Sequence, residues 1–216
     1  MYNYSLMYKQ YFKRLLDLCI ATISLLLLSP IFILLCIILS ITYKGNPFFF
    51  QKRPGYKGHI FSVIKFKSMA DLYDKQGALL PDYLRLTKIG SFLRKTSLDE
   101  LPQLINVIKN DMSFIGPRPL LVRYLPFYSE REFTRHNVRP GMTGLAQISG
   151  RNFLKWEDRL EFDAYYVENL TFKLDAKIFI RTIQKVIQRS DIKIIPDGKP
   201  LDVYRKEKQS INNALV

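Results

Sequence analysis

Between Asp17 and Lys44 the chain reads LCIATISLLLLSPIFILLCIILSITY, residues 18–43, without a single charge. As one straight helix, at about 1.5 Å per residue, it would be roughly 39 Å long, more than enough for a hydrocarbon core roughly 30 Å thick. A cleaved secretory signal fits poorly. The run exceeds an h-region of roughly 7–15 residues, and bulky Phe48-Phe49-Phe50 follows where small residues would mark a cleavage site. The segment is therefore read as retained and membrane-embedded. Ser29-Pro30 interrupts it near the middle: the proline removes a helical hydrogen bond, and the serine hydroxyl beside it can satisfy a freed carbonyl. Each half alone, at about 18–20 Å, is too short to span. Lys9, Lys13 and Arg14 precede the run and Lys44, Lys52, Arg53 and Lys57 follow it. Basic residues on both sides give no orientation for a single span but suit a helix that bends and returns to the side it came from. The residues leave both topologies open, a kinked transmembrane helix and a re-entrant one.

The rest of the composition narrows the class. The chain has 216 residues, 48% of them hydrophobic, with Lys+Arg 33 against Asp+Glu 19 and a net charge of +14. This is too apolar and aromatic for a disordered or collagen-like chain. Cys19 and Cys36 both lie inside the apolar run, which excludes a disulfide scaffold. With only His59 and His136 to join them, a structural zinc site is also disfavoured. A basic excess suits phosphorylated substrates or anionic lipid.

Residues 1–44 form the membrane segment, 45–190 one domain with no repeat and no second apolar span, and 191–216 a polar tail read as loose. Phe48–Gln51 and Ile60–Phe66 predict strands around the turn signal Arg53-Pro54-Gly55. Asp71–Lys88 predicts a loop with some helix. Asp158–Asn169 and Asp175–Gln188 predict helices, and Ser97–Lys109 predicts an amphipathic helix through Leu98, Leu101, Leu104, Ile105 and Ile108. Ser97 and Glu100 have capping-box spacing, which puts Asp99 and Glu100 in a first turn where both stay ionised; Pro102 argues for a start one or two residues later. Acidic residues favour helix starts everywhere, so the spacing alone does not make this pair a site. Arg118, held between Pro117 and Pro119, suits either anion recognition or a braced turn. The glycine loops 139–144 and 149–152 match no nucleotide fingerprint. His136 reads as packed or solvated, and Trp156 as core or interfacial.

One string goes further: Ser97-Leu98-Asp99-Glu100-Leu101-Pro102-Gln103, then Asn106-Val107, then Asp111-Met112-Ser113-Phe114-Ile115-Gly116-Pro117-Arg118-Pro119. It resembles the bacterial sugar transferases known as monotopic phosphoglycosyl transferases, most closely the minimal PglC-like members. The likeness extends to about residue 190. It takes in Lys13-Arg14, Ser29-Pro30, residues 51–55, residues 65–69, Arg139-Pro140-Gly141 and Gly150-Arg151-Asn152.

The resemblance implies an α-rich α/β fold: a small, irregular, membrane-associated domain with an N-terminal re-entrant helix–break–helix and interfacial amphipathic helices. It implies a monotopic protein on the cytoplasmic face of the bacterial inner membrane. The reaction it implies is transfer of a sugar 1-phosphate from a UDP-sugar to polyprenyl (undecaprenyl) phosphate, with Mg²⁺ as cofactor and release of UMP. The donor implied is an N-acetylated amino or diamino sugar. By resemblance Asp99 is the nucleophile and Glu100 its partner and metal ligand. Lys65, Arg94, Arg118 and Arg151 are substrate contacts, Asp163 matches a recurring position without an assigned role, and Lys13 and Arg14 lie near lipid headgroups. Lys67 stands where many relatives have arginine, which keeps the charge but not a planar fork.

Other readings use the same features. A basic membrane-anchored binding protein would share charge and anchor, and a catalytically silent relative would share the motifs. A nucleic-acid partner is not expected, because the basic residues are scattered and a membrane anchor has no use there.

Overall fold

The computed structural model describes residues 6–150, 154–188 and 199–214. A π-helical turn at Tyr8–Phe12 leads into helix α1 (Lys13–Leu27), and helix α2 covers Ser29–Thr42. Leu28 leaves helical geometry at ψ 2°, and the two arms bend by 64°. Pro30 sits in the first turn of α2, where its missing N–H is tolerated. The carbonyl that this N–H would have bonded in a continuous helix belongs to Leu26, and the Ser29 hydroxyl donates to it at 2.7 Å. Among the described residues no single helix is long and apolar enough to cross a membrane, whereas the bent pair passes that test together. Ala21, Leu35 and Leu39 face the protein core, while Leu26, Leu27 and Ile41 are 68%, 75% and 73% exposed. An apolar surface of that extent calls for lipid rather than water, and the bend is consistent with a re-entrant anchor.

Polar contacts tie the anchor to the domain. Buried Asp17 accepts from the Ser113 hydroxyl at 2.6 Å and the Phe114 N–H at 3.1 Å. One oxygen of Asp175 accepts from Tyr8 and Lys13, each at 2.7 Å, and the other from Tyr166 at 2.8 Å. Arg14 donates to the Val107 and Ile108 carbonyls at 2.7 and 3.0 Å. Lys13 and Arg14 were expected at lipid headgroups; in the structure both reach inward, one to a carboxylate and one to the orphan carbonyls of a helix C-terminus. Replacing Asp175 by Ala strands a buried ammonium and two hydroxyls. A loss of about 3–5 kcal/mol is expected, read as a lower unfolding midpoint of the solubilised protein. An unchanged midpoint would show that the hub carries no stability.

Strand β1 (Phe48–Pro54) pairs antiparallel with β2 (Ile60–Phe66), from Phe48 opposite Phe66 to Pro54 opposite Ile60. The strand outruns its expected end at Gln51 because Pro54 lies on the end of a two-stranded ribbon, where it is tolerated. The turn follows at residues 55–59. A one-turn helix at Asp82–Arg85 precedes α3 (Lys88–Thr96), whose cap is the Thr87 hydroxyl accepting from the Gly90 N–H at 3.0 Å.

The helix expected over Ser97–Lys109 is not continuous. Ser97 is left-handed, at φ 58°, and closes α3, so its hydroxyl forms no capping box. Leu98–Glu100 is a 3-10 turn, and Pro102 starts a separate short helix, α4 (Gln103–Ile108). Leu101, Leu104 and Val107 still enter the core, which is the periodicity that suggested one helix. Two short strands that sequence pattern did not reveal, β3 (Ser113–Ile115) and β4 (Gly141–Thr143), pair in parallel.

Helices α5 (Leu145–Ser149), α6 (Trp156–Glu168) and α7 (Phe172–Gln188) follow. Exposed Phe172 and Ile180 on α7 accompany exposed Lys173, Lys177 and Arg181, an amphipathic pattern. The tail read as loose contains α8 (Leu201–Ala214). Leu201 is fully buried with Leu120, Tyr124 and Leu160, and Tyr204 donates to Glu157 at 2.8 Å. Its polar composition reflects one narrow docked face on an otherwise solvated helix. Trp156 is part of this cluster, its indole N–H donating to the Lys199 carbonyl at 3.0 Å.

Candidate active site

The 3-10 turn after α3 presents Asp99 and Glu100 side by side. Lys65, from β2, donates to Glu100 Oε1 at 2.7 Å; Arg118, from the turn after β3, donates to the same oxygen at 2.7 Å. Three elements remote in sequence thus meet at one carboxylate. The register of Lys65 is set by fully buried Asn106. Its side-chain oxygen accepts from the Ile64 N–H at 2.9 Å and its amide donates to the Ser62 carbonyl at 2.8 Å. The helix that follows the dyad therefore grips the strand that carries Lys65. Arg94, on α3, donates from Nε to the Ser68 hydroxyl at 3.0 Å.

The two carboxylates are electrostatically unequal. Burial alone would raise Glu100, but Arg118 and Lys65 outweigh it and hold the group well below the usual carboxylate range. Asp99 is pushed up to about 6, first by burial and then by the Glu100 charge, against the opposing pull of Lys65, Arg118 and Arg94. Among the described residues no hydrogen bond restrains the Asp99 carboxylate, while Glu100 is doubly held. Both carboxyls remain mainly ionised near neutral pH, but the expected cause, the dipole of one long helix, is not the one found: the dyad lies in a 3-10 turn ahead of α4, and Lys65 and Arg118 supply the stabilising charge.

The donor set can be tested against Mg²⁺. Among the described residues no three His, Cys, Asp or Glu side chains form a cage. Mg²⁺ keeps several waters and is commonly held by one or two carboxylates together with substrate phosphates. Glu100 meets that lesser demand, since both cations share its Oε1.

Of the other expected site residues, Arg151 lies outside the described residues. Ser29 and Pro30 form the break between α1 and α2. Asp163, on α6, is buried and pairs with Arg135 at 2.8 Å rather than reaching the dyad. Burial pushes its carboxyl up to about 6, although Arg135 and Arg159 pull the other way. Arg135 itself was missed. Its only signal in the sequence was its place beside His136, which is also buried and donates through Nδ1 to the Gly55 carbonyl at 3.1 Å.

Comparison with known proteins bears on this geometry. Residues 8–189 match the bacterial sugar transferase family. The chain belongs to that family. It is 51% identical over 176 residues to the uncharacterized sugar transferase EpsL of Bacillus subtilis (strain 168), covering 81% of this chain and 87% of that one. It is 38% identical over 191 residues to the exopolysaccharide production protein ExoY of Sinorhizobium fredii, covering 81% and 84%. It is 40% identical over 184 residues to the UDP-glucose:undecaprenyl-phosphate glucose-1-phosphate transferase of Klebsiella pneumoniae. That match covers 81% of this chain but only 40% of the longer relative. The sugar transferase region ends at residue 189, so α8 lies beyond it.

Proposed function

We propose that this bacterial sugar transferase moves a sugar 1-phosphate from a UDP-sugar to undecaprenyl phosphate at the cytoplasmic face of the bacterial inner membrane, as a monotopic enzyme. The observation that carries the reading is the unequal dyad: a buried Asp99 with no hydrogen bond to its carboxylate among the described residues, beside a Glu100 clamped by Lys65 and Arg118. Asp99 attacks the phosphorus that bears the sugar. The bond from that phosphorus to the bridging diphosphate oxygen breaks, and UMP leaves with the electron pair. The acyl-phosphate is then attacked by a phosphate oxygen of undecaprenyl phosphate, which expels the Asp99 carboxylate and yields the lipid diphosphosugar. A carboxylate nucleophile divides one displacement into two. Lys65 and Arg118 offset phosphate charge, Arg118 through a planar fork, and Arg94 and Arg151 are further substrate contacts.

Glu100 would hold Mg²⁺ together with the substrate phosphates. When bound, the ion supplies charge neutralisation on the diphosphate and its leaving group. The named relative uses UDP-glucose, while the small-member resemblance favours an N-acetylated amino or diamino sugar. Incubation with undecaprenyl phosphate and a panel containing all of these donors decides the sugar. No UMP release and no covalent labelling across the panel would overturn the reading in favour of a silent relative.

The dyad also sets a pH dependence. Asp99 must be ionised to attack, so single-turnover UMP release should rise as pH passes about 6 and level off above it. Arg118 and Lys65 both lower the Asp99 pKa. Removing the Arg118 guanidinium should therefore shift the rising limb to higher pH as well as slow the reaction. A first-step rate independent of pH between 5 and 8 would show that Asp99 is already ionised throughout that range in the reacting complex, its raised pKa cancelled by bound cation.

A further inference from the structure

Arg118 has a second set of contacts, on its main chain. Its two flanking prolines have no N–H to donate, so the turn is anchored through few polar groups. The Arg118 carbonyl accepts from Nη2 of Arg135 at 2.6 Å. The same Nη2 lies 2.8 Å from Oδ2 of Asp163, and Nη1 donates to the Tyr128 hydroxyl at 2.9 Å. Arg135 and Asp163 are each only 3% exposed. From Arg118 the side chain then reaches Glu100 beside Asp99. A buried ion pair adds little stability over an apolar filling of the same volume. What the guanidinium adds is direction: a planar fork with three fixed acceptors from α6, from the segment after β3 and from the turn before residue 130.

We propose that Arg135, locked by Asp163, is a positioning residue that fixes the Arg118 turn so that its guanidinium meets Glu100 and the substrate phosphate. This inference rests on the transferase reading. It assigns Asp163 to positioning and keeps it out of contact with substrate and with the reacting atoms. Among the described residues neither touches the dyad, and the contact that carries their influence toward it is the Arg118 carbonyl. Tyr128 serves as the third point of the fork. Lysine at position 135 would keep the charge opposite Asp163 but could not serve Asp163, the Arg118 carbonyl and Tyr128 together.

A double-mutant cycle separates positioning from general structural support. Full-length wild type, Arg135→Lys, Arg118→Ala and the double variant are compared in kcat/KM for UMP release and in equilibrium affinity for UDP. Positioning predicts that Arg135→Lys loses about tenfold or more in kcat/KM, while the double variant is no worse than Arg118→Ala within about twofold. The same non-additivity is expected in UDP affinity, which does not require turnover. Losses that multiply would overturn the inference, because Arg135 would then act independently of Arg118. If Arg118→Ala alone changes neither readout, Arg118 is not a phosphate contact, and the inference falls with that assignment. Should Arg135→Lys fail to fold, Asp163→Asn takes its place in the cycle with the same two outcomes. A wild type that binds UDP but neither releases UMP nor takes up covalent label across the donor panel overturns the transferase reading, and the affinity cycle still decides the positioning role.

Discussion

Asp99→Asn should abolish transfer while leaving the fold intact. The substitution is isosteric, removes a partly destabilised buried charge, and touches neither of the ion pairs that hold Glu100. An amide oxygen is a far poorer nucleophile than a carboxylate, so the first step loses its only route to the acyl-phosphate. UMP release should fall by on the order of 10³-fold or more. Covalent capture of a labelled phosphosugar should vanish in parallel, with an unfolding midpoint at or slightly above that of wild type. Label retained on the protein, or UMP release within an order of magnitude of wild type, would remove Asp99 from the nucleophile role. Glu100→Gln separates the partners: it keeps the nucleophile but gives up the charge that both Lys65 and Arg118 neutralise. It should slow release without eliminating covalent capture.

Much of this protein is legible in its sequence, and the division follows physical lines. The anchor could be read because Ser29-Pro30 interrupts an uncharged run whose halves cannot span, and the 64° bend occurs there. The helices α6 and α7 were readable because apolar spacing persists over several turns. The dyad region was misread as one helix because burial of Leu101, Leu104 and Val107 keeps helical spacing across a chain that is not continuously helical. Pro102 hinted at the break, but the left-handed Ser97 has no signature in a residue that otherwise suits a cap. The three-residue strands β3 and β4 are too short to show an alternating pattern. The docking of α8 rests on buried Leu201 together with the polar contacts of Tyr204, Arg205 and Lys208, a set that composition reads as a tail. In the site, Asp99, Glu100, Lys65 and Arg118 were named from motif resemblance, and the structure brings Lys65 and Arg118 onto Glu100. Asn106 stood in the motif string without a role, and no local pattern could have shown its contacts or named Arg135, because each acts through main-chain groups of segments distant in sequence. The same holds for the inward turn of Lys13 and Arg14, whose partners lie about a hundred residues or more away.

Gly90→Ala is expected to be severe for a reason that also reaches the site. In an exposed helix the change would stabilise by about 1 kcal/mol through propensity. At Gly90 the new methyl carbon would lie 1.8 Å from the Ser68 carbonyl oxygen and 2.6 Å from its carbon. Both are backbone atoms, so no rotamer change relieves the collision, and α3 must move away from the segment after β2. The sign of the substitution therefore inverts. Overpacking of this kind costs about 1–3 kcal/mol and can exceed that where backbone must shift. For a chain of this size each kcal/mol lowers the midpoint by about 2–4 °C. The displacement also opens the contact between Arg94 and the Ser68 hydroxyl and pulls on the turn that follows α3, where Asp99 sits. The expected result is a midpoint lower by several degrees together with a loss in kcat/KM larger than the unfolded fraction explains. Thermal unfolding and UMP release measured on the same detergent-solubilised preparation check it. A midpoint equal to or above wild type would mean that α3 can slide along β2 at little cost, and that the close approach at Ser68 does not hold the dyad in place.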